Sequence, residues 1–124
     1  MQNITPRILF VDDHEDTRFM VKGLLATSNY EVATAGSIAS GLQLAQSGLF
    51  DLYLLDTRLP DGSGTELCEK IREFDLTTPI IFYSGDAPEQ LNSALKCGAQ
   101  DWVVKPELDG LRAAIFRAIS APQA

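Results

Sequence analysis

The sequence predicts an α/β domain organised around a parallel β-sheet, on three observations. Apolar runs of four or five residues alternate with longer stretches of helical periodicity, the pattern of successive βαβ units. Three of those runs, at 8–11, 52–55 and 80–83, and a shorter one at 102–104 contain no charge and are followed at once by a polar or charged residue. The length of 124 residues suits one domain, enough to bury a core and too little for two.

In chain order the strands are expected over 7–11, 31–35, 52–56, 79–84 and 102–104. The helices between and after them are expected over 16–27, 38–47, 64–74, 88–97 and 108–120. Ser63, followed three residues later by Glu66, reads as a capping box opening the third helix, and Asp86 with Glu89 is a weaker acidic version at the fourth. Gly98 suits the left-handed residue that closes a helix ending at Cys97. In the last helix Leu108, Leu111, Ile115 and Ile119 form one core-facing stripe. Residues 121–124 remain as a tail, and no repeat, low-complexity stretch or linker is visible, so a single domain over 1–124 with its core at about 6–120 is expected.

Composition narrows the function. Hydrophobic residues make up 45% and charged residues 22%, ordinary values for a globular protein. The net charge of −7, from 17 acids against 10 bases, repels phosphate backbones and argues against direct nucleic-acid binding. No apolar run reaches the length of a membrane span. Residues 1–7 lack the apolar core of a secretory signal, so a cytoplasmic location is expected. Cys68 and Cys97 belong to no CxxC or Cys/His cluster and read as reduced helix cysteines, not as metal ligands.

Chemistry concentrates at the strand ends. Asp12 and Asp13 close the first strand, Asp56 the third, Ser84 the fourth and Lys105 the fifth. In an open α/β sheet the crevice beyond the carboxyl ends of the strands is where ligands bind. One acid at a strand end is ordinarily solvated or caps the next helix; three acids brought together repel, and a divalent cation relieves that repulsion. Oxygen donors favour Mg²⁺, with Mn²⁺ as a substitute. Asp56, followed by a loop over 57–64, is the candidate nucleophile, since a carboxylate can accept a phosphoryl group as an acyl phosphate. Such transfer needs in-line positioning and neutralised phosphoryl oxygens. Lys105 offers an ammonium and Ser84 a hydroxyl donor for those oxygens.

The segments VDDHED, DTRLPDGSG from Asp56, YSGDA around Ser84 and GAQDWVVKP over 98–106, in this order, resemble the receiver domains of two-component response regulators. The resemblance spans nearly the whole chain. It implies a flavodoxin-like, doubly wound, five-stranded parallel sheet of order 2-1-3-4-5 with five helices. It implies that a histidine kinase or histidine phosphotransfer protein donates a phosphoryl group to Asp56, and that small donors and autodephosphorylation act there too. It further implies Mg²⁺ held by Asp12, Asp13, Asp56 and the backbone carbonyl of Arg58, and contact of Lys105 with the phosphoryl group. A cis peptide before Pro106 and a concerted movement of Ser84 and Trp102 also follow from it. The signal would leave through a surface built from 88–97, 102–104 and 108–120, toward a downstream protein target or a second copy in a homodimer.

Two departures from the family pattern involve three positions. Trp102 stands where tyrosine or phenylalanine is usual; its indole is bulkier and lacks a hydroxyl, and placement at a partly exposed partner surface is expected in preference to the core. Arg58 and Asp86, each two residues beyond a site residue, are expected to flank the mouth through which hydrolytic water enters, and to pair across it. His14 reads as an exposed bystander at a helix start. Two other classes compete: a phosphohydrolase of the haloacid dehalogenase type, which lacks its second aspartate because His14 stands two positions after Asp12, and an interaction module that binds without phosphorylation.

Overall fold

The computed structural model describes residues 5–85 and 96–120. In chain order these form β1 (Arg7–Val11), α1 (Glu15–Ala26), β2 (Glu31–Ala35), α2 (Ile38–Ser47), β3 (Leu52–Leu55), β4 (Arg58–Leu59), β5 (Gly62–Ser63), α3 (Gly64–Arg72), β6 (Ile80–Ser84), β7 (Asp101–Val104) and α4 (Leu108–Ser120). The helix expected over 88–97, its Asp86 cap and the side chain of Asp86 lie almost entirely outside the described residues.

Five strands form one parallel sheet in the order β2-β1-β3-β6-β7, with Val11 in register with both Ala35 and Leu55. Counting only this sheet, that is the expected order 2-1-3-4-5. A parallel sheet is covered on both faces, so its strands read as near-continuous apolar runs and alternate residues feed opposite cores. Leu9, Val11, Tyr53, Leu55, Ile80 and Phe82 pack with Leu67, Cys68 and Ile71 of α3 and Ala45 of α2. Ile8, Phe10, Leu52, Leu54, Ile81 and Tyr83 pack with Val21 and Leu25 of α1 and Leu111, Ala114 and Ile115 of α4. The stripe expected on the last helix is therefore its core face.

Element ends differ from expectation for local reasons. Pro79 has no N–H and cannot enter the ladder as a donor, although its carbonyl accepts from Tyr53 at 3.0 Å, so β6 begins at Ile80. α3 stops at Arg72 because Glu73 and Phe74 donate to carbonyls three residues back, at 3.2 and 3.1 Å, tightening the last turn. Ser63 caps α3 as read, accepting the Glu66 N–H at 3.1 Å. Gly98 has φ of +102°, the left-handed backbone expected of it.

The segment after Asp56, expected as an open loop, instead folds back as the antiparallel pair β4–β5. Its turn residue Asp61 reaches α2, where its carboxylate accepts the N–H groups of Ile38 at 2.8 Å and Ala39 at 3.0 Å. Those are donors that a helix start leaves without internal partners. With Ser37 accepting from Ser40 at 3.1 Å, the first turn of α2 is closed from two directions.

At the opposite end of the sheet, Asp75 accepts from the buried Tyr53 hydroxyl at 3.1 Å and from the Thr77 and Thr78 N–H groups at 3.2 and 3.0 Å. Burial acts to raise the Asp75 carboxyl, but the donors from Thr78, Thr77 and Tyr53 outweigh it and hold the group below the usual range. A carboxyl depressed on folding stabilises fully above its unfolded pKa of ~3.9, and that stabilisation is lost as pH falls through the folded value. Asp75→Ala is expected to lower stability by ~1–2 kcal/mol at neutral pH. In urea titrations the gap between variant and parent should narrow as pH is taken below ~3.9.

Candidate functional site

Among the described residues, the buried polar or charged side chains are Asp12, Asp56 and Ser84, exposed by 0%, 6% and 1%, and all stand where a strand of the parallel sheet ends. Their backbones remain tied to the ladder: Asp12 N–H donates to Ala35, Asp56 N–H to Val11 and Lys105 N–H to Ser84, at 3.0, 2.9 and 2.8 Å. The side chains are thus placed by the rigid sheet, not by loops. Arg18 of α1 adds a further tie, donating to the Asp12 carbonyl at 2.7 Å.

Two buried carboxylates require a compensating charge, because an uncompensated ion in the interior costs several kcal/mol. Lys105 supplies it: Nζ lies 2.6 Å from Asp12 Oδ2 and 3.4 Å from Asp56 Oδ2. Burial pushes the Asp56 carboxyl above its ordinary value, the Lys105 charge opposes that shift and the Asp12 charge adds to it. For Lys105, burial acts to lower the ammonium pKa, but the hydrogen bond to Asp12 and the attraction of both carboxylates carry it above its usual value.

Around this core stand the accessible groups. Asp13, His14, Asp56, Thr57, Arg58, Ser84, Gly85 and Lys105 line an open pocket, with Asp12 beneath it. All five side chains expected to converge, Asp12, Asp13, Asp56, Ser84 and Lys105, do so. Arg58 is exposed at the pocket rim in β4, whereas Asp86 lies outside the described residues. The Lys105–Pro106 peptide is cis.

Trp102 is half-buried on the edge strand β7. Its ring stacks on Phe82 at 5.6 Å, and its Nε1 is buried without a hydrogen-bond partner. It is thus partly exposed on an edge strand, as expected, with one face of the indole packed on the apolar ring of Phe82.

Three further residues were not singled out for the site by sequence. Thr57 donates its backbone N–H to Asp56 Oδ1 at 2.7 Å, and its hydroxyl lies 2.6 Å from that of Ser84. His14, exposed as expected at 69% of its side chain, is nevertheless drawn to the acids. Its N–H donates to Asp12 at 2.9 Å, and its Nδ1 lies 3.0 Å from Asp13 Oδ1. Gly64 opens α3 directly beneath the site: a Cβ there would press into the Asp56 carbonyl and come within 2.8 Å of Phe82 Cε1. Only its place in the DGSG run hinted at this.

Asp12, Asp13, His14 and Asp56 each bring one ligand atom within 4.8 Å of the others. Three carboxylates suit a hard divalent cation, and the imidazole is compatible with Mn²⁺ and later metals. The donor set therefore fits a divalent metal ion.

A doubly wound α/β domain with a buried aspartate pair and a lysine at its strand ends defines an acidic, cation-accepting site of the flavodoxin-like class. The family model for the response regulator receiver domain matches residues 8–116, and the chain belongs to that family. It is 40% identical over 101 residues to the nisin biosynthesis regulatory protein NisR of Lactococcus lactis, covering 81% of this chain and 44% of that protein. It is 38% identical over 112 residues to the transcriptional regulatory protein DltR of Streptococcus agalactiae, covering 88% and 50%. The chain thus spans about half the length of these relatives. Among solved structures, a CheY-like receiver domain protein of Methanospirillum hungatei superposes with a TM-score of 0.89 at 32% identity, covering 94% of each chain. The response regulator TrrA of Thermotoga maritima, in complex with Mg²⁺ and beryllofluoride, superposes with a TM-score of 0.85 at 30% identity, covering 91% of this chain and 98% of that one. The chain is accordingly a receiver domain of two-component signal transduction. None of its described helices is long and apolar enough to cross a membrane.

Gly64→Ala should be among the most damaging single-methyl additions in this protein. Overpacking against the Asp56 carbonyl is expected to cost ~3 kcal/mol, read as a lowered midpoint in urea unfolding.

Proposed function

We propose that Asp56 is the phosphoryl acceptor of this domain and that Asp12, Asp13, Asp56 and the backbone carbonyl of Arg58 hold Mg²⁺, with Mn²⁺ able to replace it. The observation that carries the reading is the shared ammonium: Lys105 lies against both Asp12 and Asp56 at the floor of an open pocket. A buried carboxylate with its pKa pushed up is a more basic and less solvated nucleophile than a surface aspartate. Its oxygen attacks phosphorus as the bond from phosphorus to the donor breaks, and the donor leaves with that electron pair. When bound, the metal neutralises charge on the phosphoryl oxygens.

The protein's own groups do the rest. Lys105 takes up a phosphoryl oxygen from the side opposite the open mouth, and the Ser84 hydroxyl donates to another. The donor is a histidine kinase or a histidine phosphotransfer protein in the cytoplasm, and acetyl phosphate serves as a small-molecule substitute. Phosphorylation adds up to ~2 negative charges at one end of the sheet. It shifts the population of the protein toward the conformation that binds the group better. Ser84 and Trp102 form the moving part, and the surface around β7 and α4 carries the change to a downstream protein or a second copy. Arg58, with Asp86, governs entry of the hydrolytic water.

Mass spectrometry after incubation with acetyl phosphate and Mg²⁺ tests the reading. One added phosphoryl group is expected in the parent and none in Asp56→Asn, while a parent whose mass never changes would identify an interaction module instead. Lys105→Ala is expected to retain metal binding, measured by titration calorimetry, and to lose phosphorylation by at least ~10-fold, the scale of one lost charge-assisted contact.

A further inference from the structure

We infer that Thr57 is a positioning residue that holds Ser84 in its resting place and so sets how readily the site closes on a phosphoryl group; the inference rests on Asp56 being the acceptor. Thr57 touches both partners of that event. Its backbone N–H donates to Asp56 Oδ1 at 2.7 Å, and its Oγ1 lies 2.6 Å from Ser84 Oγ, at the short end of hydroxyl hydrogen bonds. The contact joins the segment after β3 to the last residue of β6, so it bridges two of the strands that build the pocket.

The environments of the two hydroxyls differ. Ser84 is 1% exposed, so in its resting place water cannot readily replace Thr57 as its partner. Thr57 is only partly buried, and water can take its hydroxyl once Ser84 departs. When Ser84 turns to a phosphoryl oxygen it exchanges a neutral hydroxyl partner for a charged one, and charge-assisted hydrogen bonds are about twice as strong. The resting bond opposes that turn. Removing the Thr57 hydroxyl takes a bond from the resting arrangement that Ser84 must leave, so on this inference the phosphoryl mimic should bind more tightly. Valine keeps the branched shape of threonine without the hydroxyl.

The test is a double-mutant cycle on the full chain: parent, Thr57→Val, Ser84→Ala and the double variant, each titrated with beryllofluoride at saturating Mg²⁺ and followed by amide NMR spectra. Thr57→Val should lower the apparent Kd by roughly two- to tenfold, the range of one intramolecular hydrogen bond. In the Ser84→Ala background the same substitution should change nothing. A merely structural role for Thr57 would alter affinity equally in both backgrounds, and that result overturns the inference. So does an unchanged or weakened affinity in the single Thr57 variant. Urea unfolding of the same four proteins without ligand should show coupling between positions 57 and 84, and its absence also overturns the inference. A parent that binds no beryllofluoride removes the acceptor reading and this inference together, whereas a parent that binds while Thr57→Val behaves identically to it removes only the role of Thr57.

Discussion

The contact between the Lys105 ammonium and the carboxylates of Asp12 and Asp56 is the constraint around which the pocket end of this domain is organised. Two carboxylates are held out of water there, and the partly buried ammonium that they share compensates their charge. Their sequence separations of 49 and 93 residues mean that the sheet must be assembled before the charges can meet. Strand order places β1 beside β3 and β3 beside β6, with β7 at the edge, and brings the four carboxyl ends to one crevice. Fold and site thus depend on each other: the sheet positions the charges, and the charges make the buried strand ends affordable.

The same arrangement suits a divalent cation. With the lysine alone, the carboxylates have one partner among three acids, and Asp13 with His14 extends the donor set toward solvent. A divalent ion adds charge where negative groups already converge, and it needs no rearrangement of the sheet. On the proposed reading, a bound cation and the Lys105 ammonium would both offset charge on a phosphoryl group, which is neutralisation more than proton exchange.

Much of this was legible in the chain. Uncharged runs ending in Asp12, Asp56, Ser84 and Lys105 marked both strands and site, because a two-faced sheet forbids charge along a strand and releases it only at the end. The last helix was readable from its stripe of Leu111 and Ile115, and the start of α3 from Ser63, because both are local signals. What could not be read depended on contacts between elements. The β4–β5 pair has no apolar alternation of its own, and Asp61 caps a helix that begins 23 residues earlier. The Thr57–Ser84 bond joins residues whose types are unremarkable in turns. The stacking of Trp102 is decided by Phe82 on the neighbouring strand, which periodicity along β7 cannot show.

The Asp61 bridge gives the domain a mechanical property. The chain segment carrying Arg58 is fastened at its far end to the amino terminus of α2, across the face opposite α1 and α4. Those two bonds belong to the strand pair and to the helix at once, so loss of the single exposed Asp61 carboxylate would remove a support from both elements together.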